Sequence, residues 1–259
     1  MANTVFENKV IEALAKDLLV TEVNARNLMT IDNSLAEGEG VTKTINVYTY
    51  TGKVEKLADG AKNSTRGSIA FKGTDYKVQR AQQVFDYSDT NYMTDNNCVE
   101  YGLKGANELM VNEMTADFIA EANKATEHQD FSGALSYDVI VDAISKMKME
   151  NEQSLYLVLP NEWKADIRKD EDYKAARMGE VVYAGQVGTI AGIPVIFTNA
   201  LEDTGFVMTK EAIRLFMKKD VEVEQDRDIE TKVNTVVLTT YYICALVNNN
   251  KICKIVKTA

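Results

Sequence analysis

The sequence predicts an α+β fold, on three observations. Residues 97–126 carry apolar side chains at helical spacing along one stripe. From Asp220 onward the chain consists of strand-like segments with alternating or continuous apolar residues. Between these two regions, helical and strand-like segments follow one another. The length of 259 residues is enough for one elaborate domain or for two smaller ones.

The composition is typical of a soluble globular protein, with 45% hydrophobic and 26% charged residues. No apolar run approaches the roughly 20 residues that span a bilayer. The N-terminal sequence MANTVFENKV does not resemble a secretory signal, so we expect cytoplasmic synthesis. A net charge of -10 argues against tight, sequence-independent binding to nucleic acid. Cys98, Cys244 and Cys253 form no CxxC motif, and we expect reduced thiols.

The first segment, residues 5–23, is an amphipathic helix by its periodicity. Its apolar stripe contains Phe6, Val10, Leu14 and Leu18. Two interpretations remain open for this stripe. It packs on the core of its own chain, or it docks as an arm on a neighbouring subunit.

Strand-like runs begin after Val41, with TINVYTY, GSIAFKG and YKVQRAQQVFDY. The segment between the first two, 52–67, has few large apolar residues and many charges, so it cannot form a core of its own. These features predict a long hairpin that projects from the body. The hairpin carries four basic side chains near its tip, namely Lys53, Lys56, Lys62 and Arg66.

In the middle of the chain, the spacing of apolar residues predicts alternating helices and strands. The stripe of the long helix contains Leu103, Ala106, Met110, Met114 and Phe118, widened by Leu109 and Ile119. A helix follows Ser136, SLYLVLP is a buried strand that ends at Pro160, and NEWKADIRKD opens another helix. A short strand, GFVMT, then precedes a predicted helix, KEAIRLFMKK.

The glycines at 188 and 192 allow two interpretations, a phosphate loop or a tight reversal. The sequence GTIAG does not fit GxxxxGK[ST]. Strand-like residues flank the glycines, and Pro194 follows Gly192 closely. We therefore predict a hairpin here.

Five acidic residues alternate near the C-terminal strands, namely Glu222, Glu224, Asp226, Asp228 and Glu230. In a single strand they project from one face, where like charges repel one another. We expect either water or a basic partner to face them. The basic residues of the projecting hairpin of another subunit are one such partner.

The sequence offers little support for catalysis, cofactors or metal ions. The only histidine, His128, lies in a polar segment that reads as the end of a helix, which excludes a histidine-dependent triad. Asp86, Asp89, Asn91 and Asp95 lack the glycine and terminal glutamate of a calcium loop and read as a surface loop. The single tryptophan, Trp163, gives a carboxylate-based glycosidase little support.

Taken in order, these elements resemble the major capsid proteins of tailed bacteriophages, which share the Hong Kong 97-type fold. The most specific part is 155–216, where a strand ending in Pro160, the Trp163 helix, the hairpin VGTIAGIPV and the KEAI segment succeed one another. The resemblance implies five regions: an N-terminal arm at 1–38, an extended loop hairpin at 39–80, a peripheral domain with a long spine helix at 81–130, an axial domain at 131–205, and returning strands of the peripheral domain at 206–259.

The resemblance also implies a function, as an icosahedral shell built from pentamers and hexamers around double-stranded DNA in the virion. A portal protein and a separate scaffolding protein are the implied partners. Met1 directly before the arm favours a separate scaffold over a scaffolding segment that has already been trimmed away. We expect assembly in the bacterial cytoplasm, weak contact with the DNA, and no membrane. Two alternatives stay open, an encapsulin-like nanocompartment and a soluble α/β enzyme with a carboxylate-based site.

Overall fold

The computed structural model describes residues 24–36, 40–149, 152, 154–171 and 188–258. Within them the fold is α+β. The helices are α1 (Asn24–Leu28), α2 (Asp89–Thr94), α3 (Cys98–Ala122), α4 (Tyr137–Lys146) and α5 (Trp163–Lys169). The strands are β1 (Thr30–Asp32), β2 (Thr42–Thr51), β3 (Ser68–Lys77), β4 (Gln79–Ser88), β5 (His128–Ser132), β6 (Leu155–Pro160), β7 (Thr189–Ile190), β8 (Ile193–Thr198), β9 (Thr204–Thr209), β10 (Ile213–Asp228), β11 (Val233–Leu246) and β12 (Ile252–Thr258).

A four-stranded sheet in the order β1-β10-β11-β4 forms one half of the molecule. Its long central pair, β10 and β11, is antiparallel from Ile213 opposite Leu246 to Asp228 opposite Val233. Helix α3 covers one face of this sheet and buries the predicted stripe, namely Leu103, Ala106, Met110, Met114 and Phe118. Leu109, which the sequence placed beside the stripe, is instead 54% exposed. We call the face away from α3 the outer face.

A six-stranded sheet in the order β5-β12-β9-β6-β8-β7 forms the other half. All six residues of β6 are buried, as the apolar run SLYLVLP predicts, and the strand lies inside the sheet between β9 and β8. Helices α4 and α5 contribute to a second core around Trp163, whose ring meets Phe131 edge-on at 5.0 Å between centroids.

The hairpin predicted from the glycines at 188 and 192 is confirmed. Strands β7 and β8 pair antiparallel, with Ile190 opposite Ile193. The two turn residues, Ala191 and Gly192, have φ of 51° and 78°. Positive φ at both positions gives the twist that a two-residue hairpin needs. The glycine therefore serves chain reversal.

The predicted helix KEAIRLFMKK is wrong, because this segment opens strand β10. Alternate residues Ile213, Leu215 and Met217 are buried. Phe216 points to the outer face and is buried there in a separate cluster. Strands β1 and β11 also pair with the segment on its two sides. In a short, mostly apolar run, periodicity does not distinguish a helix from a strand. Pairing with neighbouring strands decides here in favour of the strand and overrides the helical propensity.

Two further segments differ from the prediction. His128 begins β5, which pairs in parallel with β12, so it does not lie at the end of a helix. Residues Asp89–Thr94 form helix α2, where the sequence indicated a surface loop. The Ser88 hydroxyl accepts a hydrogen bond from the Asn91 amide at 3.2 Å and caps this helix.

One side chain in the core of the first half lacks hydrogen-bond partners. Asn107, in α3, is fully buried, and neither its amide nitrogen nor its amide oxygen has a partner. A buried polar group without partners lowers stability by about 1–3 kcal/mol. We therefore expect Asn107→Leu, which has a similar branched shape, to raise the free energy of unfolding by about that amount.

Chemical denaturation of the purified chain measures this change. Asn107→Asp is the matched control, since it keeps the shape but adds a charge and should destabilise the fold. A lower free energy of unfolding for Asn107→Leu would show that the amide is needed where it lies.

Candidate functional site: the projecting hairpin and the acidic sheet face

Strands β2 and β3 form a separate two-stranded sheet, with Thr42 opposite Lys77 and Thr51 opposite Ser68. Most of its side chains are exposed, including large apolar ones. Phe71 is 71% exposed and Ile69 58%, and Val54 in the tip is 90% exposed. A surface of this kind on one projecting element is typical of a contact with another molecule.

Hydrogen bonds to one carboxylate organise the tip, residues 52–67. Glu55 accepts from the Ser64 amide at 3.1 Å, from the Ser64 hydroxyl at 3.0 Å, and from the Thr65 hydroxyl. These bonds lower the pKa of Glu55 below its ordinary value, the bond from Thr65 most. The tip therefore has a defined shape. The four predicted basic side chains, Lys53, Lys56, Lys62 and Arg66, are all exposed on it.

An aromatic ring closes the base of the tip. The ring of Tyr50 lies across Gly52 and Gly67, the first and last residues of the tip. A Cβ on Gly52 would lie 2.7 Å from the Tyr50 hydroxyl oxygen, and one on Gly67 would lie closer still. Only glycine at these two positions leaves room for the ring where it now lies.

The root of the hairpin packs on the outer face of the four-stranded sheet. A third apolar cluster lies there and joins Ile45 of β2 to Phe216 and Ile243 of the sheet. The Lys43 ammonium group also lies 5.3 Å from the centre of the Phe216 ring. The hairpin is thus anchored at its root and uncovered along its length.

A polar contact adds a second anchor for the root. The Tyr76 hydroxyl donates to Glu121 of α3 at 3.4 Å, and the Leu246 amide donates to the same oxygen at 3.3 Å. Lys124 forms an ion pair with Glu121 and lies over the Tyr76 ring. Burial, followed by the charge of Glu121, raises the pKa of Tyr76 to about 12. Tyr76 therefore stays neutral and donates this hydrogen bond at any physiological pH.

Beyond the root, the outer face of β10 is acidic. Glu222, Glu224, Asp226 and Asp228, which we call the acidic row, alternate with the buried Val221 and Val223. Lys219 lies 2.5 Å from Glu222 and forms an ion pair with it. Glu230 lies past the end of the strand, in the turn before β11, so the prediction that it shares this face is wrong.

The structure does not bring the hairpin tip and the acidic row of one chain into contact: among the described residues, no ion pair joins the two. Their charges are nevertheless complementary. Residues 42–77 hold seven Lys or Arg and three Asp or Glu, a net charge of +4. The remainder of the chain therefore carries -14, against a total of -10.

The sequence reasoning missed several residues that shape this surface. The sequence did not reveal Tyr50, the clamping role of Glu55, or the exposed pair Ile69 and Phe71. For the pair, one signal was available, since two apolar residues alternate in a strand predicted to project without a core. The predicted arm residues Phe6, Val10, Leu14 and Leu18 lie outside the described residues.

A cleft of about 810 Å³ lies between α1, β6 and the turn before β10. Its described lining is mainly apolar and includes one carboxylate, Glu211. That group forms an ion pair with Lys251, which lowers the pKa of Glu211 through a hydrogen bond and its charge. Among the described residues that line the cleft, there is thus one carboxylate, whereas the acid–base mechanism of the alternative enzyme requires a pair.

The described residues contain no group of three or more His, Cys, Asp or Glu side chains arranged to hold a metal ion. In the same part of the chain, no helix combines the length and the apolar content needed to cross a membrane.

Comparison with known proteins gives one relative by sequence and many by structure. No protein-family model matches the chain. The major capsid protein of Staphylococcus phage phiMR11 is 22% identical over 260 residues, covering 96% of this chain and 92% of that protein. The capsid of cyanophage P-SCSP1u superposes with a TM-score of 0.70 at 12% identity, covering 89% of this chain and 86% of that one. A virus-like particle from Pyrococcus furiosus gives a TM-score of 0.66 at 12% identity, covering 97% and 100%.

These matches confirm the resemblance to tailed-phage major capsid proteins. They cover most of each chain, so the likeness extends to the architecture as a whole. The fold is the Hong Kong 97-type α+β capsid fold.

A partly buried hydrogen bond between an aspartate and a tyrosine joins the long helix α3 to strand β11 of the four-stranded sheet. The Tyr242 hydroxyl of β11 donates to Asp117 of α3 at 2.8 Å. Burial raises the pKa of Asp117, and the neighbouring carboxylates of Glu113 and Glu121 add to the shift. Ionised Asp117 is therefore less favourable in the folded chain than in the unfolded one.

We expect Asp117→Asn to raise the free energy of unfolding at pH 7, because the amide oxygen still accepts from Tyr242 without a charge. The raised pKa fixes the sign, since the penalty for ionisation appears as the pH rises past the ordinary carboxyl value of 3.8. The gain should therefore vanish below that value. Denaturation of both chains over a pH series tests this, and a gain independent of pH would contradict it.

Proposed function

We propose that this chain is a major capsid protein of a tailed bacteriophage. Many copies assemble through pentamers and hexamers into an icosahedral shell that encloses double-stranded DNA, and the protein resides in the virion. The observation that carries the proposal is a capsid-type fold over most of the chain, together with an anchored hairpin that the described residues leave uncovered. A neighbouring copy supplies that cover in a closed shell.

The hairpin tip of one copy contacts the acidic row of the next. Exposed basic side chains at the tip meet the carboxylates of β10, of which Glu222 already has Lys219 as a partner within its own chain. The contact therefore adds opposite charge to a row in which carboxylates outnumber the paired lysine. Exposed ion pairs contribute little singly, about 0–1 kcal/mol each. Repetition over every subunit of a shell makes the sum large while single contacts stay reversible.

The remaining regions follow the capsid resemblance. The arm at 1–38 docks on neighbours through Phe6, Val10, Leu14 and Leu18, while its described part, α1 and β1, packs on its own chain. The axial domain at 131–205 lies at the centre of each pentamer or hexamer. The hairpin region is 39–80, and the peripheral domain comprises 81–130 and 206–259. The two sheets support a division into two parts, but β12 and most of β9, which fall within 206–259, lie in the six-stranded sheet beside the elements of 131–205.

The proposed partners are other copies of the chain, a portal protein and a separate scaffolding protein. The packaged DNA is contacted weakly, which the charge of -14 outside the hairpin supports. The role is structural, and no catalytic step is proposed.

A nanocompartment shell of the encapsulin type is the second candidate. The match to the virus-like particle from Pyrococcus furiosus, which spans all of that chain, favours it. The content of purified particles separates the two functions. Nuclease-protected double-stranded DNA supports the capsid, and a protein cargo without nucleic acid supports the compartment.

The contact between hairpin and acidic row predicts the effect of a charge reversal. Lys53→Glu with Lys56→Glu places like charges at the contact, and we expect the yield of shells to fall at least about tenfold while the subunit stays folded. Electron microscopy and native mass measurement give the yield, and circular dichroism reports the fold.

Two further variants make this test specific. Lys148→Glu with Lys257→Glu changes the net charge equally at exposed lysines outside the hairpin and should assemble normally. Glu222→Lys with Glu224→Lys, added to the reversed hairpin, should restore assembly. Failure of that rescue while the control assembles would refute the pairing of these two surfaces.

The arm makes a separate prediction. Leu14→Asp places a charge in the apolar stripe of residues 5–23, and we expect folded subunits that form no shells. Normal particles by electron microscopy would refute the role of the arm. Glu12→Asp, on the polar side of the same segment, is a suitable control.

A further inference from the structure

The edge of the four-stranded sheet at β10 is open along most of its length. Strand β1 pairs only with Arg214–Phe216, at the start of β10. Among the described residues, no strand lies beside the remainder of β10 on that side. Such an edge presents unpaired backbone N–H and C=O groups, which pair readily with a strand of another molecule.

Hydrogen bonds at both ends of this edge show which backbone groups point outward. The Val221 amide donates to the Asp220 carboxylate at 3.0 Å, and the Arg227 amide donates to the Asp226 carboxylate at 2.8 Å. The pairing with β11 is regular from Glu222 to Asp228. Alternation along an antiparallel strand therefore directs the Val223 and Gln225 amides outward as well. The edge is capped at its two ends and open between them.

The β10 edge of a second copy is one strand that could pair with this edge. Two β10 edges that pair antiparallel about a two-fold axis at Glu224 bring the two Glu224 side chains together and place Glu222 beside Asp226. Like charges directly opposite each other destabilise a strand pair. Near the row, Lys219 of β10 and Arg80 and Asp86 of β4 lie on the same face, and Lys219 is already paired with Glu222.

We propose that the acidic row and the two aspartate caps prevent the β10 edges of two copies from pairing. The backbone between Val221 and Arg227 can pair with another strand. The carboxylates prevent the β10 edge of a second copy from being that strand. Copies then remain available for association through other surfaces. This inference does not depend on the proposed function, since it concerns unassembled chains.

Removal of two carboxylates tests the proposal on the unassembled full-length chain. Glu222→Thr with Glu224→Thr keeps strand propensity and removes the repulsion. We expect a concentration-dependent dimer by sedimentation velocity, and hydrogen exchange at Val223 and Gln225 slowed at least about tenfold. Glu108→Gln with Glu202→Gln, a matched loss of two exposed carboxylates elsewhere, should leave a single species.

Gln225→Pro, added to the threonine variant, tests whether its dimer forms through the β10 edge. Proline removes an outward N–H without disturbing the bonds to β11, so it should abolish the dimer of the threonine variant. If the threonine substitutions disturb the fold, Glu222→Gln with Glu224→Gln provides the same neutralisation with unchanged shape. Sedimentation and exchange identical to the control, or a dimer that persists with the proline, would overturn the proposal. A failure of these variants to form shells would test the proposed capsid function and not the pairing of the edges.

Discussion

The unequal covering of strand β10 is the constraint on which the rest of the molecule depends. Its first residues are covered on both faces, by α3 on one side and by the hairpin root on the other. After Met217 only the α3 side is covered, and the outer residues change from Phe216 to the acidic row. A sheet face without a cover must be polar in water, so the extent of the hairpin root determines where the acidic surface begins.

This arrangement also explains why the hairpin projects. Its root uses the apolar part of the outer face, while its strands pair only with each other and find no second layer. A two-stranded ribbon is marginal by itself in water. The Glu55 clamp, the Tyr50 ring over two glycines and the contact of Tyr76 with Glu121 supply order that a core supplies elsewhere. The chain therefore stabilises a surface that it does not itself cover.

Much of the fold was readable from residue periodicity. The long helix α3, the buried strand β6 and the hairpin at Gly192 follow from patterns that one element satisfies by itself. KEAIRLFMKK was not readable, because its apolar residues fit both periods and its neighbours β1 and β11 lie far away in sequence. Helix α2 and strand β5 are short polar segments without a clear period. The Ser88 cap stabilises the helix, and parallel pairing with β12 stabilises the strand.

The charged surfaces were predictable in part. Alternating carboxylates and clustered lysines are visible without a structure, because charge pattern does not depend on packing. The end of β10 at Asp228, which removes Glu230 from the row, depends on where the turn to β11 begins. The aspartate caps on Val221 and Arg227 depend on the direction of single amides.

The opposite signs of the hairpin and the remainder of the chain act before any contact forms. With +4 on one projecting element and -14 on the rest, each copy has an uneven electric field that reaches about 8–10 Å into a physiological salt solution. When two copies diffuse together, this field favours orientations in which the positive hairpin of one copy faces the negative remainder of the other. The approach of one copy to another would therefore slow as added salt shortens that reach.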